Sequence, residues 1–333
     1  MSRPTSIARR IVYGVLFGVL VYAGMVIWID AGSLAEALRD FPLGLVPVAM
    51  ALSFANYLIR FIKWERYRKL LDIELERSTS FLIYLAGLSM SITPGKMGEV
   101  FKSWLIRKVN GVRIHRSAPI VVAERFTDLL GYLILMAIGG LTTYPEYQWV
   151  FWATLVACVA AQQLVGSRRF ARTSAWIVSH LPVVHRVSHK VEGAFESTRV
   201  LLAPREVIGP TLLSVVSWGC ECTGFWLIAD AVTPGDFPFI FAVFAYAFSA
   251  VAGAVLLIFP GGLGVTEGSL GSLTRREFQD LTAVSTETAR SQAAGAVIIT
   301  RLCTLWFALG VGLIAVVLFQ RRFGRVEEVA ESE

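Results

Sequence analysis

The chain has 333 residues, of which 55% are hydrophobic and 17% are charged, and its mean hydropathy is +0.61. This composition lies outside the range of ordinary soluble domains and predicts a polytopic membrane protein. The net charge is +6, but the basic residues fall between apolar runs and not on one soluble surface. They therefore indicate membrane orientation and argue against a nucleic-acid-binding protein.

Lys and Arg near the ends of apolar runs predict the side of the membrane on which each run ends. The first apolar run, residues 11–29, is predicted to be a retained first helix. It is preceded by three basic residues, Arg3, Arg9 and Arg10. We therefore expect a cytoplasmic N-terminus. The next run, residues 42–62, returns to the cytoplasm, where we expect Lys63 to begin a second basic stretch.

The apolar run 80–93 is short for a full span, which needs about 20 residues. Basic stretches lie on both sides of it, and the second stretch includes Lys96 and Lys102. A segment that begins and ends on one side of the membrane is a re-entrant hairpin. We therefore predict such a hairpin with Pro94-Gly95 at its tip. A helix over 117–140 then completes a first unit, repeat A, which spans residues 42–140.

A linking helix over residues 149–165 and a polar segment over residues 166–204 separate the two units. The polar segment is basic, and its apolar residues recur at three- and four-residue steps, as in an amphipathic helix at a membrane surface. We expect this cytoplasmic segment to contact anionic membrane lipids. His185 and His189 lie four residues apart on it, but no third ligand is near, so we predict no metal site and no cofactor.

Repeat B, residues 208–319, has the same order of elements. A helix over 208–232 is followed by the apolar run 237–259, by Pro260-Gly261 and by a final span over 293–319. The final span ends in a basic, cytoplasmic stretch and must begin outside, which makes the preceding segment a second hairpin that enters from the opposite face. The alternative is that the run 237–259 crosses the membrane alone, in which case the symmetry fails.

The predicted fold is an all-α polytopic membrane protein that forms one membrane domain over residues 1–333. It contains two inverted repeats, each a helix, a re-entrant helical hairpin and a helix, together with extra transmembrane helices. Broken backbone inside the membrane requires protein or a water-filled cavity around it, and two such breaks in corresponding places indicate a transport site. The tip residues are Pro94, Gly95, Gly98, Pro260, Gly261, Gly262 and Gly264.

Three stretches resemble the membrane region of lysylphosphatidylglycerol synthases, a family also called flippase-like or UPF0104. They read TPGKMGEVFK at 93–102, ERFTD at 124–128 and FPGGLGVTEG at 259–268. The resemblance covers nearly the whole chain, from 11 to 319, and implies a lipid flippase for an aminoacylated phospholipid or a lipid-linked sugar. The full synthases continue into a soluble aminoacyl-transferase domain, which this sequence lacks, so synthesis of the lysyl lipid is not implied.

Ionisable residues within the predicted membrane region are the candidate substrate-binding residues, because a charge inside a bilayer is costly. They are Lys96, Glu99, Arg125, Asp128, Glu221, Glu267 and Arg301. An alternative for Arg125 is a purely structural ion pair with Asp128 or Glu124 on its own helix. Arg301 has no acid within four residues, so its partner is either a ligand or another part of the fold, with Glu221 the first candidate.

The N-termini of the helices that follow the two Pro-Gly breaks are a second candidate for anion binding. Their free N–H groups and positive dipole ends would face the middle of the bilayer, which is a natural position for a phosphate. Glu99 and Glu267 lie in the first turns of these helices, where capping of the helix N-terminus is an equally good interpretation.

The sequence thus predicts a transporter, not an enzyme, that moves a lipid with an anionic head group. One alternative is a membrane-embedded transferase acting on a lipid phosphate, with Glu99 and Asp128 as its acid and base. A second alternative is a membrane scaffold that transports nothing. We expect the protein in the plasma membrane with both termini in the cytoplasm, and the sequence leaves its oligomeric state open.

Overall fold

The computed structural model describes residues 31–92, 100–140, 143–166, 188–233, 237–255, 262–282 and 284–324. Within these ranges the regular structure is helical and contains no β-strand. The prediction of an all-α protein is therefore confirmed. The predicted first helix over 11–29 lies outside the described residues. So do several predicted tip and site residues, namely Pro94, Gly95, Lys96, Gly98, Glu99, Pro260 and Gly261.

The described helices are numbered in chain order. The first six are α1 (Ala31–Ala37), α2 (Leu45–Leu70), α3 (Arg77–Gly87), α4 (Phe101–Asn110), α5 (Ile114–Ser117) and α6 (Pro119–Gly140). The others are α7 (Gln148–Gly166), α8 (Ser188–Leu201), α9 (Pro204–Val232), α10 (Phe239–Val255), α11 (Val265–Thr282), α12 (Thr286–Arg301) and α13 (Phe307–Phe323). A 3₁₀ turn, Leu88–Met90, follows α3, and a π turn, Leu302–Trp306, joins α12 to α13.

Four helical stretches among the described residues are long and apolar enough to cross a membrane. They are Leu45–Leu70, Pro145–Val165, Pro204–Val232 and Thr286–Phe323. At about 1.5 Å per residue, each of them covers the roughly 30 Å of a hydrocarbon core. The protein is therefore integral to the membrane and crosses it more than once, as the composition predicted.

Helices α3 and α4 form an antiparallel hairpin. At one end, the side chain of Asn110 donates a hydrogen bond to the carbonyl oxygen of Glu74 at 3.0 Å. At the other end, the aliphatic part of Lys102 passes directly over Gly87, where a Cβ would lie 2.5 Å from Lys102 Cγ. The two inner ends of this first hairpin therefore flank residues 93–99, where the sequence analysis placed its tip.

Helices α10 and α11 form a second antiparallel hairpin. Phe237, just before α10, packs against Phe278 near the end of α11, with ring centroids 5.3 Å apart. At the opposite end, a Cβ on Gly253 would lie 2.2 Å from Thr266 Oγ1, so the close approach of the two helices requires glycine there. Because α10 has 17 residues, it is about 25 Å long and shorter than a hydrocarbon core. Re-entry of either hairpin on one side of the membrane stays a prediction.

The two halves of the chain pack on each other reciprocally. Helix α2 packs along α9, while each hairpin packs on the last helix of the other half. A Cβ on Gly312 of α13 would lie 2.1 Å from the backbone nitrogen of Ser89, after α3. A Cβ on Gly139 of α6 would lie 2.5 Å from the backbone nitrogen of Phe244 in α10. This exchange of contacts is what two repeats would produce, and the two inverted repeats stay a prediction.

The described end of the basic segment is helix α8, which packs against α5 and α6. A Cβ on Gly193 would lie 3.0 Å from the ring of His115 on α5, and Leu201 at the end of α8 is fully buried. This end of the segment is therefore fixed to the helical body. Residues 167–187, which include His185, lie outside the described residues.

Candidate substrate-binding centre

The largest group of buried charges surrounds Asp128, where α2, α6 and α9 meet. Arg60 Nη2 lies 3.2 Å from Asp128 Oδ2, and Lys63 Nζ lies 2.5 Å from Asp128 Oδ1. Ser214 on α9 donates its hydroxyl proton to Asp128 Oδ1 at 3.0 Å. Because the Asp128 side chain is only 2% exposed, little water competes with these interactions, and each is stronger than it would be at a surface.

Arg125 is the third cation of this group, which we call the Asp128 centre. Its Nη1 lies 3.6 Å from Asp128 Oδ2, one turn away on the same helix. This contact agrees with the structural ion pair that the sequence allowed for Arg125. The Arg125 side chain is 28% exposed, whereas those of Arg60 and Lys63 are 7% and 0% exposed. Among the described residues, three cations thus face this carboxylate, and Arg125 is the most exposed of them.

The burial of Lys63 corrects the sequence analysis, which placed this residue at a cytoplasmic membrane exit. That prediction was wrong, because α2 continues to Leu70 and the Lys63 side chain is fully buried. Its ammonium also donates to Ser214 Oγ at 2.9 Å and to Thr127 Oγ1 at 3.3 Å. The sequence does carry a signal, since Lys63 follows Arg60 by three residues and shares its helix face.

Lys102 was likewise assigned to a cytoplasmic stretch, and this prediction was also wrong. Lys102 is 3% exposed, and its Nζ lies 2.5 Å from Glu124 Oε2. The ammonium also lies 4.7 Å from the ring centroid of Trp64 and 5.5 Å from that of Tyr84. A carboxylate and two aromatic faces are a favourable surrounding for a buried ammonium. The pair joins the first hairpin to α6, one turn before Asp128.

In the second half, Glu267 binds both the start of α11 and the last helix. Arg301 Nε donates to Glu267 Oε1 at 2.6 Å, and the backbone N–H of Gly264 donates to Glu267 Oε2 at 2.7 Å. Glu267 thus has the capping role that its position in the first helical turn allowed. Glu267 is also the acid paired with Arg301, a role for which Glu221 was the first candidate in the sequence analysis. The φ angles of Gly262 and Gly264 are +72° and +86°, which favour glycine before this helix.

Glu221 lies on α9 and faces the second hairpin, where it accepts a hydrogen bond from the hydroxyl of Tyr246. It is 6% exposed. One turn earlier, the Arg60 guanidinium lies 4.9 Å from the ring centroid of Trp218, and the ring of Tyr132 lies 4.7 Å from that of Trp218. Glu221 therefore lies one helical turn from Trp218, the residue of α9 that contacts Arg60 of the Asp128 centre.

The structure brings four of the five described candidates into two pairs, Arg125 with Asp128 and Glu267 with Arg301. The fifth, Glu221, accepts a hydrogen bond from Tyr246. Four charged partners were not among the predicted site residues, namely Arg60, Lys63, Lys102 and Glu124. All four belong to ion pairs or hydrogen bonds between helices that are distant in sequence. Among the described residues, no three His, Cys, Asp or Glu side chains group together as a metal site requires.

Comparison with known proteins places these features in a family. The family model described as "Lysylphosphatidylglycerol synthase TM region" matches residues 15–312, a range that includes the Asp128 centre and the Glu267–Arg301 pair. The chain belongs to this family. The family resemblance drawn from the Pro-Gly stretches is thereby confirmed, and a membrane role related to lipids is consistent with it.

One relative matches over almost the full length of both chains. This relative is a UPF0104 membrane protein of Methanothermobacter thermautotrophicus. It is 23% identical over 329 residues, and the match covers 92% of this chain and 94% of the relative. The likeness to this relative therefore extends over nearly the whole chain, and not over one hairpin alone.

Proposed function

We propose that this protein is a lipid flippase that moves an anionic, phosphate-bearing lipid between the two membrane leaflets. The observation that carries the proposal is the Asp128 centre, in which Arg60, Lys63 and Arg125 share one buried carboxylate. Charges within a membrane protein are costly and are concentrated at substrate pathways. Among the described residues, three cations gather at this carboxylate, and such a group is suited to a phosphate, as in an aminoacylated phosphatidylglycerol or a polyprenyl-phosphate sugar.

The geometry of Arg125 supports binding of such a head group. Its contact with Asp128 Oδ2 is long, at 3.6 Å, and its side chain is partly exposed. A phosphate arriving there gains the two parallel donors that a guanidinium offers. Asp128 keeps Arg60 and Lys63 as partners during this exchange, so the carboxylate does not become an isolated buried charge. The apolar tails of the lipid remain in the bilayer.

The Glu267–Arg301 pair is the second proposed contact with the head group. Arg301 provides a buried cation beside the N-terminus of α11, which also favours anions. Lys96, Glu99 and Glu221 are the further residues that we assign to the head-group path. In this proposal the two halves move relative to each other to open the path to each leaflet in turn, and no covalent bond is made or broken.

The proposal includes an orientation in the cell. Both termini are cytoplasmic, the membrane is the plasma membrane, and the basic segment over residues 166–204 contacts anionic lipids of the inner leaflet. Clusters of Lys and Arg next to a membrane helix gain roughly 1 kcal/mol per residue from such lipids. Accessibility labelling of single cysteines at the two termini in intact cells tests the orientation.

The transport proposal is tested by a leaflet assay in proteoliposomes. Reducible or fluorescent derivatives of aminoacyl-phosphatidylglycerol, phosphatidylglycerol and polyprenyl-phosphate sugars are compared for protein-dependent movement. Loss of a charge-assisted hydrogen bond to the phosphate costs about 1.5–3 kcal/mol, so Arg125→Ala lowers the rate for the true substrate at least about tenfold.

The matched control is Arg66→Ala, which removes a cation from α2 at a surface pair with Glu206. The two side chains are 47% and 27% exposed, and the rate stays near that of the unaltered protein. Movement of every lipid at equal rates with and without Arg125 contradicts the assignment of the Asp128 centre. Product formation by the purified protein in detergent, where no second leaflet exists, instead indicates a transferase.

A further inference from the structure

The last helix contains a π turn in its interior. Helices α12 and α13 and the turn Leu302–Trp306 form one continuous helix of 38 residues, Thr286–Phe323. Within it, the N–H of Phe307 donates to the carbonyl oxygen of Leu302, five residues earlier. A π turn accommodates one extra residue at the cost of poorer helical geometry, and such turns are found mostly at functional positions and at helix bends.

This π turn separates two hydrophobic clusters. Before it, Ala293 and Val297 of α12 pack with buried residues of α6, α9 and α10. After it, Ala308 and Ala315 of α13 pack with buried residues of α2, α3 and α4. Accordingly, α12 contacts the second hairpin through α11, while α13 contacts the first hairpin through α3. One helix is thus attached to both hairpins, and the π turn lies between the two attachments.

Residues beside both hairpin tips also meet at the π turn. Ile92 precedes residues 93–99, and Leu263 follows residues 256–261. Both are buried in one small cluster with Leu305 and Leu309. Leu305 lies within the π turn, and Leu309 lies one helical turn later. A movement of either hairpin therefore acts on the last helix at this turn.

A hydrogen bond from α2 holds the π turn in the observed conformation. The hydroxyl of Tyr57 donates to the carbonyl oxygen of Thr304 at 3.2 Å. The ring of Tyr57 stacks on Phe307, with centroids 6.1 Å apart and an angle of 25° between the planes. Tyr57 lies three residues before Arg60 on α2, so the same helix face contacts the π turn and the Asp128 centre.

We propose that the π turn Leu302–Trp306 is the hinge at which the two hairpins move relative to each other, and that the Tyr57–Thr304 hydrogen bond restrains it. The inference rests on the proposed transport function, because it names the movement that opens the path to each leaflet. Arg301 directly precedes the hinge. Bending therefore shifts the Glu267–Arg301 pair relative to the Asp128 centre, and a head group held between the two is carried with it.

Deletion of Leu302 tests the hinge. A π turn contains one residue more than the α turn that replaces it, so the deletion leaves α13 in register with Gly312 against Ser89. Leu302 is 49% exposed, and its loss therefore disturbs little packing. The matched control is deletion of Leu313, which is 39% exposed but lies in regular helix. That control rotates the rest of α13 by about 100° and destabilises the protein.

Two readouts are taken in nanodiscs or proteoliposomes, amide hydrogen exchange over 302–306 and lipid movement. In the unaltered protein we expect faster exchange in the π turn than in the middle of α13, because local opening exposes its amides. Deletion of Leu302 slows this exchange and abolishes lipid movement while the protein remains folded. Lipid movement at the unaltered rate in the deletion variant overturns the hinge. A different result separates the two proposals: if the unaltered protein moves no lipid but amide exchange over 302–306 is as expected, the hinge is supported and the transport function is refuted.

Tyr57→Phe provides an independent test that keeps the ring contact with Phe307. Loss of the hydroxyl releases the restraint, so exchange over 302–306 becomes faster while the rest of α13 is unchanged. Unchanged exchange in this variant overturns the restraining role of Tyr57. If deletion of Leu302 yields no folded protein, Tyr57→Phe decides the proposal, and unchanged exchange and transport then refute the hinge.

Discussion

Lys102 and Glu124 form an ion pair of 2.5 Å whose two side chains are 4% and 0% exposed. The pair joins the second helix of the first hairpin to α6, the helix that carries Arg125 and Asp128. The other carboxylate oxygen of Glu124, Oε1, has no hydrogen-bond partner in the described part of the chain. Glu124 therefore joins the hairpin to the Asp128 centre, because its carboxylate binds Lys102 and its backbone carbonyl oxygen accepts from Lys63 Nζ at 3.4 Å.

Lys102→Met isolates the buried carboxylate of Glu124. Because a buried charge that loses its partner is strongly unfavourable, we expect a loss of roughly 3–5 kcal/mol in stability. Adding Glu124→Gln removes the isolated charge and restores most of that loss. Thermal unfolding of the purified variants in one detergent measures both effects. As a control, Arg322→Ala removes an exposed pair with Glu76, with side chains 50% and 65% exposed, and leaves the unfolding temperature nearly unchanged.

Lys63→Met tests the correction that the structure made to the sequence analysis. Lys63 is fully buried and forms an ion pair with Asp128. Its loss leaves Arg60 and Arg125 as the described cations beside this buried carboxylate, and we expect the free energy of unfolding to fall by several kcal/mol. Lys69→Met, on the exposed side of the same helix, changes stability by no more than about 0.5 kcal/mol. Equal unfolding temperatures for the two variants contradict the buried position of Lys63.

Two glycines of α13 provide a matched pair for the packing between the halves. Gly312→Ala places a methyl group 2.1 Å from the backbone nitrogen of Ser89, and we expect it to cost about 1–3 kcal/mol through forced separation of α13 from the first hairpin. Gly310→Ala meets no atom within 4 Å and raises helix stability by up to about 1 kcal/mol. Opposite shifts in unfolding temperature are the expected result, and shifts of the same sign contradict the packing.

Arg301 is expected to have both a structural and a transport role, which paired variants separate. Arg301→Ala leaves the buried Glu267 without its guanidinium partner and therefore lowers both stability and lipid movement. The double variant Arg301→Met with Glu267→Gln removes the isolated charge and regains stability, but lipid movement stays lost. Recovery of lipid movement in the double variant, measured at equal protein abundance in proteoliposomes, excludes a head-group contact for Arg301.

Some contacts of the Asp128 centre follow from the spacing of residues along single helices, and others do not. Spacing alone places Arg125 one turn from Asp128 and predicts their contact, because residues three apart face each other on a helix. The same reasoning puts Arg60 and Lys63 on one face of α2. It does not indicate that this face packs on α6, since long-range packing is not encoded in the period of a single helix. The meeting of Arg60, Lys63 and Arg125 at Asp128 became apparent only from the packed helices.

The sequence by itself determined the membrane class, the helical architecture, the two Pro-Gly breaks and the family, because each depends on composition or on local order. It also identified Asp128, Glu267 and Arg301 as candidate charges within the membrane region, and it predicted that the partner of Arg301 lies elsewhere in the fold or is a ligand. Only the tertiary structure decided the partners, and it moved Lys63 and Lys102 from predicted aqueous stretches into the protein interior. The physical reason is that Lys or Arg near the end of an apolar run has two favourable environments, water or a buried carboxylate. The choice between them depends on whether another helix brings that carboxylate within reach.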